Sequence, residues 1–301
     1  MTVPHFGDRL LEAIETRRSH VVLGFDPDYH LLPPQVREAH PRGAYGSDEE
    51  MKAACYREFL LAILESAGEE AVAVKMQIAY FEALGATGYR LYEDLVGPCR
   101  ENGLLVIADV KRGDIGSTAE AYAQAHLEKA AVDAVTVNPY LGSDSLEPFL
   151  RRVREKGKGI FLLVKTSNPS SAEIQDLELA SGGPLYARIA GLVNEWGRGT
   201  EGGRGYRSVG AVVGGTHPRD GAVLRAMMPG VPLLVPGYGA QGASARDLAG
   251  LFDKGGTGAV VNSSRAILYA HQKHEDLPWR EAAQREANQM RVALWEVAKG
   301  G

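Results

Sequence analysis

The run VIADVKRGDIGST, residues 106–118, places Asp109, Lys111 and Asp114 within six positions, directly after a strand-like apolar stretch. A second unusual charge, Lys75, interrupts the apolar run AVAVKMQ, and Asp26 closes the run HVVLGFD. Lysine is rarely buried without a partner. Carboxylates and ammonium groups alternating around one cavity keep one another ionised. Such a row holds a carboxylate close to a substrate anion while a lysine stands ready to donate a proton. Each residue also has a plain structural explanation. DPD is good turn chemistry for Asp26, Lys75 can snorkel to a rim, and Asp114 and Thr118 can cap a helix. What favours chemistry is that all of them converge on one mouth.

A second group has the character of an anion site. PGYGAQG (236–242) carries Gly239 and Gln241, and NSSRAI (262–267) carries Ser264 and Arg265. Glycines let backbone N–H groups approach an anion. A helix start favours phosphate, and arginine grips it through two parallel hydrogen bonds. The glycine-rich GRGTEGGRG (197–205) is expected instead to be a solvated, flexible connector.

The elements that must position these groups are eight apolar runs: 20–26, 71–77, 104–109, 134–138, 159–166, 208–214, 231–237 and 258–264. Near-continuous Val/Ile/Leu content marks parallel strands covered on both faces. Helical patterns lie between them, for example at 56–68, 79–103 and 145–157. Strand–helix repetition eight times over predicts an α/β fold of the (β/α)8 TIM-barrel type, in one domain spanning 1–301. A doubly wound open sheet ranks second, because no G-x-G-x-x-G follows the first strand. Chemistry in such barrels gathers at the C-terminal ends of the strands, where most of these charges fall. Strand alternation turns Asp109 and Lys111 to the same side. Two long segments, 27–50 and 168–207, are expected near that face. The second of them holds an extra helix, PLYARIAGLVNEWG.

Composition narrows the class further. With 301 residues, 45% hydrophobic content and a net charge of −5, the chain can bury a large core and offers nothing to a nucleic-acid backbone. No apolar run reaches the roughly 18 residues of a membrane span, so a cytoplasmic protein is expected. Cys55 and Cys99 lack metal or redox spacing and read as buried thiols.

At this point the residues carry a resemblance. D-x-K-x-x-D-I-x-x-T (Asp109, Lys111, Asp114, Ile115, Thr118) resembles the signature of the orotidine 5′-phosphate decarboxylases. Lys75, Asp26, TSNPS after the fifth strand, PGYGAQG and SSRAI extend the likeness along nearly the whole chain, in the manner of the longer bacterial branch. The resemblance implies cofactor-free, metal-free decarboxylation of orotidine 5′-phosphate to uridine 5′-phosphate, the last step of de novo pyrimidine synthesis. It implies that Lys111 donates a proton to C6, that Asp109 lies beside the substrate carboxylate, and that Lys75 and Asp114 complete the network. Asp114, with Ile115 and Thr118, is implied to serve the neighbouring site of a homodimer. Asp26 and Lys75 are implied to hold ribose hydroxyls, Ser167 the pyrimidine edge, and Gln241 and Arg265 the phosphate, with Gly239 and Ser264 beside them. Tyr238 is left without a role, and Asn138 and Pro139 line the mouth at most.

Three other readings compete. A magnesium-dependent phosphosugar decarboxylase or aldolase shares the D-x-K-x-x-D pattern, but it wants a carboxylate where Lys75 stands. A Schiff-base aldolase acting through Lys111, Lys75 or Lys165 needs a lowered lysine pKa, which neighbouring carboxylates oppose. A phosphate-binding barrel without catalysis gains nothing from Asp109.

Overall fold

The computed structural model describes residues 5–239 and 242–300. Eight parallel strands close into a barrel in chain order: β1 (Val21–Phe25), β2 (Ala71–Gln77), β3 (Leu105–Arg112), β4 (Ala134–Val137), β5 (Gly159–Lys165), β6 (Val209–Val213), β7 (Leu233–Val235) and β8 (Ala259–Ser263). β8 pairs back onto β1, with Val21 opposite Val261. Most strand positions agree with the sequence reading to within a residue or two. β7 is much shorter than expected, because Pro232 and Pro236 bracket it and neither can donate to a ladder.

Every second strand residue turns inward, and the inward side chains change character along the barrel. Ala73, Ile107, Ala134, Phe161, Val212, Leu234 and Val260 form an apolar lower layer. Two residues further along the same strands come Lys75, Asp109, Thr136 and Asn262, all facing one cavity. The outward residues pack against the surrounding helices in a separate, larger core. Period-two alternation therefore delivers both the core and the polar site.

The far end of the barrel is plugged by the helix Phe6–Arg17, which the sequence reading did not anticipate. Phe6, Leu10 and Ile14 recur every four residues and enter the inner core. The Phe6 ring meets Phe161 edge-on at 5.8 Å. A Cβ on Gly159 would lie only 2.3 Å from that ring, so the close approach requires glycine there.

The segment 27–50 is mostly ordered into short helical turns, with Leu32 and Val36 buried. A reciprocal cap between Ser47 and Glu50 then starts the helix Asp48–Ala67, eight residues earlier than expected. The segment 168–207 divides. Its first part stays beside the C-terminal end of β5, and the helix Leu185–Trp196 carries the chain to the opposite end. There Asp8 of the plug accepts hydrogen bonds from the N–H groups of Gly203 and Arg204, at 2.8 and 3.0 Å. GRGTEGGRG is thus a connector, as expected, but one tied to the plug. Cys55 and Cys99 are buried free thiols.

His20 lies at this plugged end, stacked on Trp295 with ring centroids 5.6 Å apart. Its Nδ1 pairs with the Ala259 carbonyl at 3.0 Å. Burial pushes its pKa down to about 4. The unfolded chain therefore takes up a proton near pH 6.5 that the folded chain refuses until about pH 4. Stability from this group is present above pH 6.5 and is lost as the pH falls towards 4, by about 2–3 kcal/mol. Urea titrations at pH 7 and pH 4 should show that fall, and a shallower one in His20→Gln.

Candidate active site

The cavity at the C-terminal mouth of the barrel has a volume of about 420 Å³. Its charged wall is a row across β1, β2 and β3. Asp26 Oδ1 lies 3.6 Å from Lys75 Nζ, which lies 3.0 Å from Asp109 Oδ2. Lys111 Nζ lies 2.6 Å from Asp109 Oδ1. Two neutral groups finish the set: Gln77 Nε2 donates to Asp109 Oδ2 at 3.0 Å, and the Thr136 hydroxyl donates to Oδ1 at 2.9 Å. Asp109 therefore receives four donors, two on each oxygen, which matches the number of lone-pair sites on a carboxylate.

Asp109 is 7% exposed and Lys75 4%. Burial alone works against the carboxylate of Asp109, but Lys75 and Lys111 overcome it and hold the group far below the usual carboxylate range. Burial likewise opposes the Lys75 ammonium, and Asp109 and Asp26 together hold it above its ordinary value. Both charges persist throughout the neutral range. A saturated carboxylate with a depressed pKa is a poor base and a good fixed charge.

Lys111 reaches this position by a local irregularity. The β3–β4 register slips between Ala108 and Arg112, and Lys111 has φ 44°. A left-handed backbone is costly for a side-chain-bearing residue and persists only where its surroundings enforce it. Here the Lys111 N–H donates to Thr136 Oγ1 at 2.9 Å. Thr136 thus ties the backbone of the lysine to the carboxylate that faces it. Asp109 and Lys111 do meet, as alternation predicted, but through a bulge rather than a regular pleat.

Asp26 Oδ1 is buried without a hydrogen-bond partner. An acceptor left in that state costs about 1–3 kcal/mol, so it is poised to take a hydroxyl. Across the cavity from the charged row stand Ser167, Tyr238, Ser264 and Arg265. Among the described residues no carboxylate pairs with Arg265. Asn262 Nδ2 lies 3.3 Å from Ser264 Oγ. A Cβ on Gly24 would fall 1.8 Å from that oxygen, so β1 must carry glycine for this wall to form.

Not every anticipated residue reaches the cavity. The Gly239 N–H is engaged by the Ala243 carbonyl at 3.0 Å, inside a turn where Gly237, Gly239 and Gly242 all have positive φ. Gln241 lies outside the described residues. Asp114 accepts a hydrogen bond from its own neighbour Ile115 at 2.8 Å. It does not line the cavity, nor do Ile115 and Thr118. Ile115 is 58% exposed, and Tyr140 on the adjoining rim is 82% exposed. Asn138 and Pro139 border a neighbouring cavity of about 560 Å³ rather than the charged one. Lys165 is buried against Asp176 and Tyr186, away from the charged row. Gln77 and Thr136 were missed, although each sits two residues along a strand from a residue on the inner face.

Fold and site together define a (β/α)8 barrel with a charged, acid–base-capable row on one side of its mouth and a guanidinium on the other that no carboxylate among the described residues pairs with. The chain belongs to the Orotidine 5′-phosphate decarboxylase / HUMPS family, whose model matches residues 21–277. It is 40% identical to orotidine 5′-phosphate decarboxylase of Rhodopirellula baltica over 302 residues, covering 96% of this chain and 98% of that one. Identity to the enzyme of the same name from Deinococcus radiodurans is 45% over 268 residues, covering 89% and 90%. Among solved structures, OMP decarboxylase of Leishmania donovani superimposes with a TM-score of 0.76 at 30% identity, covering 97% of this chain and 99% of that one.

Proposed function

We propose that the chain decarboxylates orotidine 5′-phosphate to uridine 5′-phosphate and carbon dioxide, with Lys111 as the proton donor to C6. The observation that carries this reading is the alternating row Asp26–Lys75–Asp109–Lys111 facing Arg265 across one cavity. Loss of carbon dioxide leaves an electron pair on C6. The Lys111 ammonium stabilises that charge as it forms and then neutralises it with a proton. Asp109 repels the substrate carboxylate and keeps the ammonium aimed. Asp26 takes a ribose hydroxyl on its unpartnered oxygen, with Lys75 beside it. Ser167 meets the pyrimidine edge. Arg265 grips the phosphate, with Ser264 alongside and Gln241 and Gly239 supplied by the loop. The Gly239 N–H must exchange its contact with Ala243 to take part. One ammonium cannot supply the roughly 8–23 kcal/mol by which enzymes lower such barriers, so binding energy from the remote phosphate contributes to the chemical step.

The active unit in this reading is a homodimer in which Asp114, Ile115 and Thr118 enter the partner's cavity. Its support is that these residues sit beside the mouth yet point no group into their own cavity, and that exposed apolar side chains surround them. Among the described residues no helix is long and apolar enough to cross a membrane, and we place the reaction in the cytoplasm. Lys75 lies between Asp26 and Asp109, where a divalent cation bound by both carboxylates would have to sit, and this disfavours the magnesium-dependent alternative.

The direct test is to mix the protein with orotidine 5′-phosphate in EDTA and follow the pyrimidine absorbance. Steady conversion to uridine 5′-phosphate is expected. No conversion, or conversion that EDTA stops, would overturn the reading. Arg265→Ala should lower kcat/KM for the phosphorylated substrate by about 10²–10⁴-fold, through loss of two charge-assisted hydrogen bonds. It should leave the slow reaction of the unphosphorylated nucleoside unchanged.

A further inference from the structure

We propose that Gln175 is a positioning residue for pyrimidine recognition, so that the segment following β5 forms part of the base-reading apparatus. This rests on the reading of Ser167 given above. The three residues that end β5 at the cavity, Thr166, Ser167 and Asn168, lie beyond the strand's ladder. A rim without ladder bonds needs another support if it is to hold a hydroxyl in place.

Gln175 supplies that support with both ends of its amide. Its Oε1 accepts from the Thr166 N–H at 2.9 Å, and its Nε2 donates to Thr166 Oγ1 at 2.7 Å. The orientation of the amide is unambiguous, since a backbone N–H can only donate and must face the oxygen. The Thr166 hydroxyl passes its own proton on to Asn168 Oδ1 at 2.6 Å. The residues on either side of Ser167 are therefore linked by the Thr166 hydroxyl, and Gln175, eight residues downstream of Ser167, holds both that hydroxyl and the Thr166 backbone.

Two further contacts fix the frame. Asp176 pairs with Lys165, whose side chain is only 1% exposed and whose ammonium lies 5.0 Å from the centre of the Tyr186 ring. Consecutive residues of the downstream segment thus grip consecutive residues of the strand end. From the other flank, Gly214 of the turn after β6 donates its N–H to the Lys165 carbonyl at 2.7 Å. A Cβ on Gly214 would fall 2.9 Å from the Ser167 nitrogen and 3.0 Å from its Cβ. Ser167 is held between a glycine that permits its position and a glutamine that enforces it.

The test compares Gln175→Ala, Gln175→Glu and Ser167→Ala in the full chain. Dissociation constants are measured for uridine 5′-phosphate and for ribose 5-phosphate, which lacks the base, alongside kcat and KM for orotidine 5′-phosphate. Gln175→Ala should weaken uridine 5′-phosphate by about tenfold, the equivalent of one hydrogen bond to the base. It should raise KM more than it lowers kcat and leave ribose 5-phosphate within about twofold. Gln175→Glu keeps the acceptor for the Thr166 N–H and should recover most of the lost affinity. Equal weakening of both ligands by Gln175→Ala, or unchanged affinity for uridine 5′-phosphate while Ser167→Ala loses it, overturns the role of Gln175. Unchanged affinity in Ser167→Ala overturns the underlying assignment of the pyrimidine edge as well.

Discussion

Lys111→Ala is expected to lose decarboxylation by at least about 10⁴-fold, because in the proposed mechanism one side chain supplies both the proton and the nearest positive charge. Uridine 5′-phosphate should still bind within about tenfold, since the groups that would hold its phosphate and ribose are on other strands. The substitution also releases Asp109 from one of its four donors. Lys75 still faces that carboxylate at 3.0 Å, so the row keeps a compensating cation and the fold should survive. Single-turnover measurement with saturating substrate separates the two effects. Turnover within tenfold of the unaltered chain would remove Lys111 from the chemical step. Lys111→Arg should not restore the rate, because a guanidinium retains its proton and spreads its charge.

The second large effect is complementation between two inactive chains. Asp114→Ala and Lys75→Ala should each abolish turnover alone. In the proposed homodimer, mixing with subunit exchange gives heterodimers in which one cavity combines an intact Lys75 with an intact partner aspartate, while the other cavity has neither. Random pairing places half the molecules in this state, so activity should return to about one quarter of that of the unaltered dimer. If Asp114 served its own cavity, no mixture could contain an intact site and no activity would return. The geometry of the single chain motivates the experiment: the Asp114 carboxylate accepts a hydrogen bond from its neighbour's N–H and does not line its own cavity, and Ile115 beside it is largely exposed.

What could be read in advance divides along physical lines. Lys75 stood out because an ammonium in an apolar run must either snorkel to a rim or find a partner, and Asp109 and Lys111 followed from the two-residue period of a strand. Thr136 and Gln77 passed unnoticed because hydroxyl and amide side chains are ordinary in strands, and their importance comes only from the carboxylate they meet on the strand between them. Asp133 is the instructive contrast. It is as buried as Asp109, and its pKa is lowered, burial notwithstanding, by Arg9, the Val106 N–H and Arg100. It precedes its strand instead of ending one, and so lies at the opposite end of the barrel and serves stability. The plug helix was legible in the spacing of Phe6, Leu10 and Ile14, but its partner, Phe161, is far away in the chain. The early start of the helix Asp48–Ala67 was marked by Ser47 and Glu50, a cap visible without coordinates. The bulge at Lys111 had no such mark, because it depends on register against β4. The same holds for Gln175, whose partner is set by how the chain folds back on itself.

The plug has a consequence for traffic. With Phe6 wedged against Phe161, the described end of the barrel opposite the cavity offers no exit. Carbon dioxide and the nucleotide left behind must then share the doorway through which the substrate enters. The gas is small enough to slip past a seated nucleotide, whereas the nucleotide must wait for the door to open.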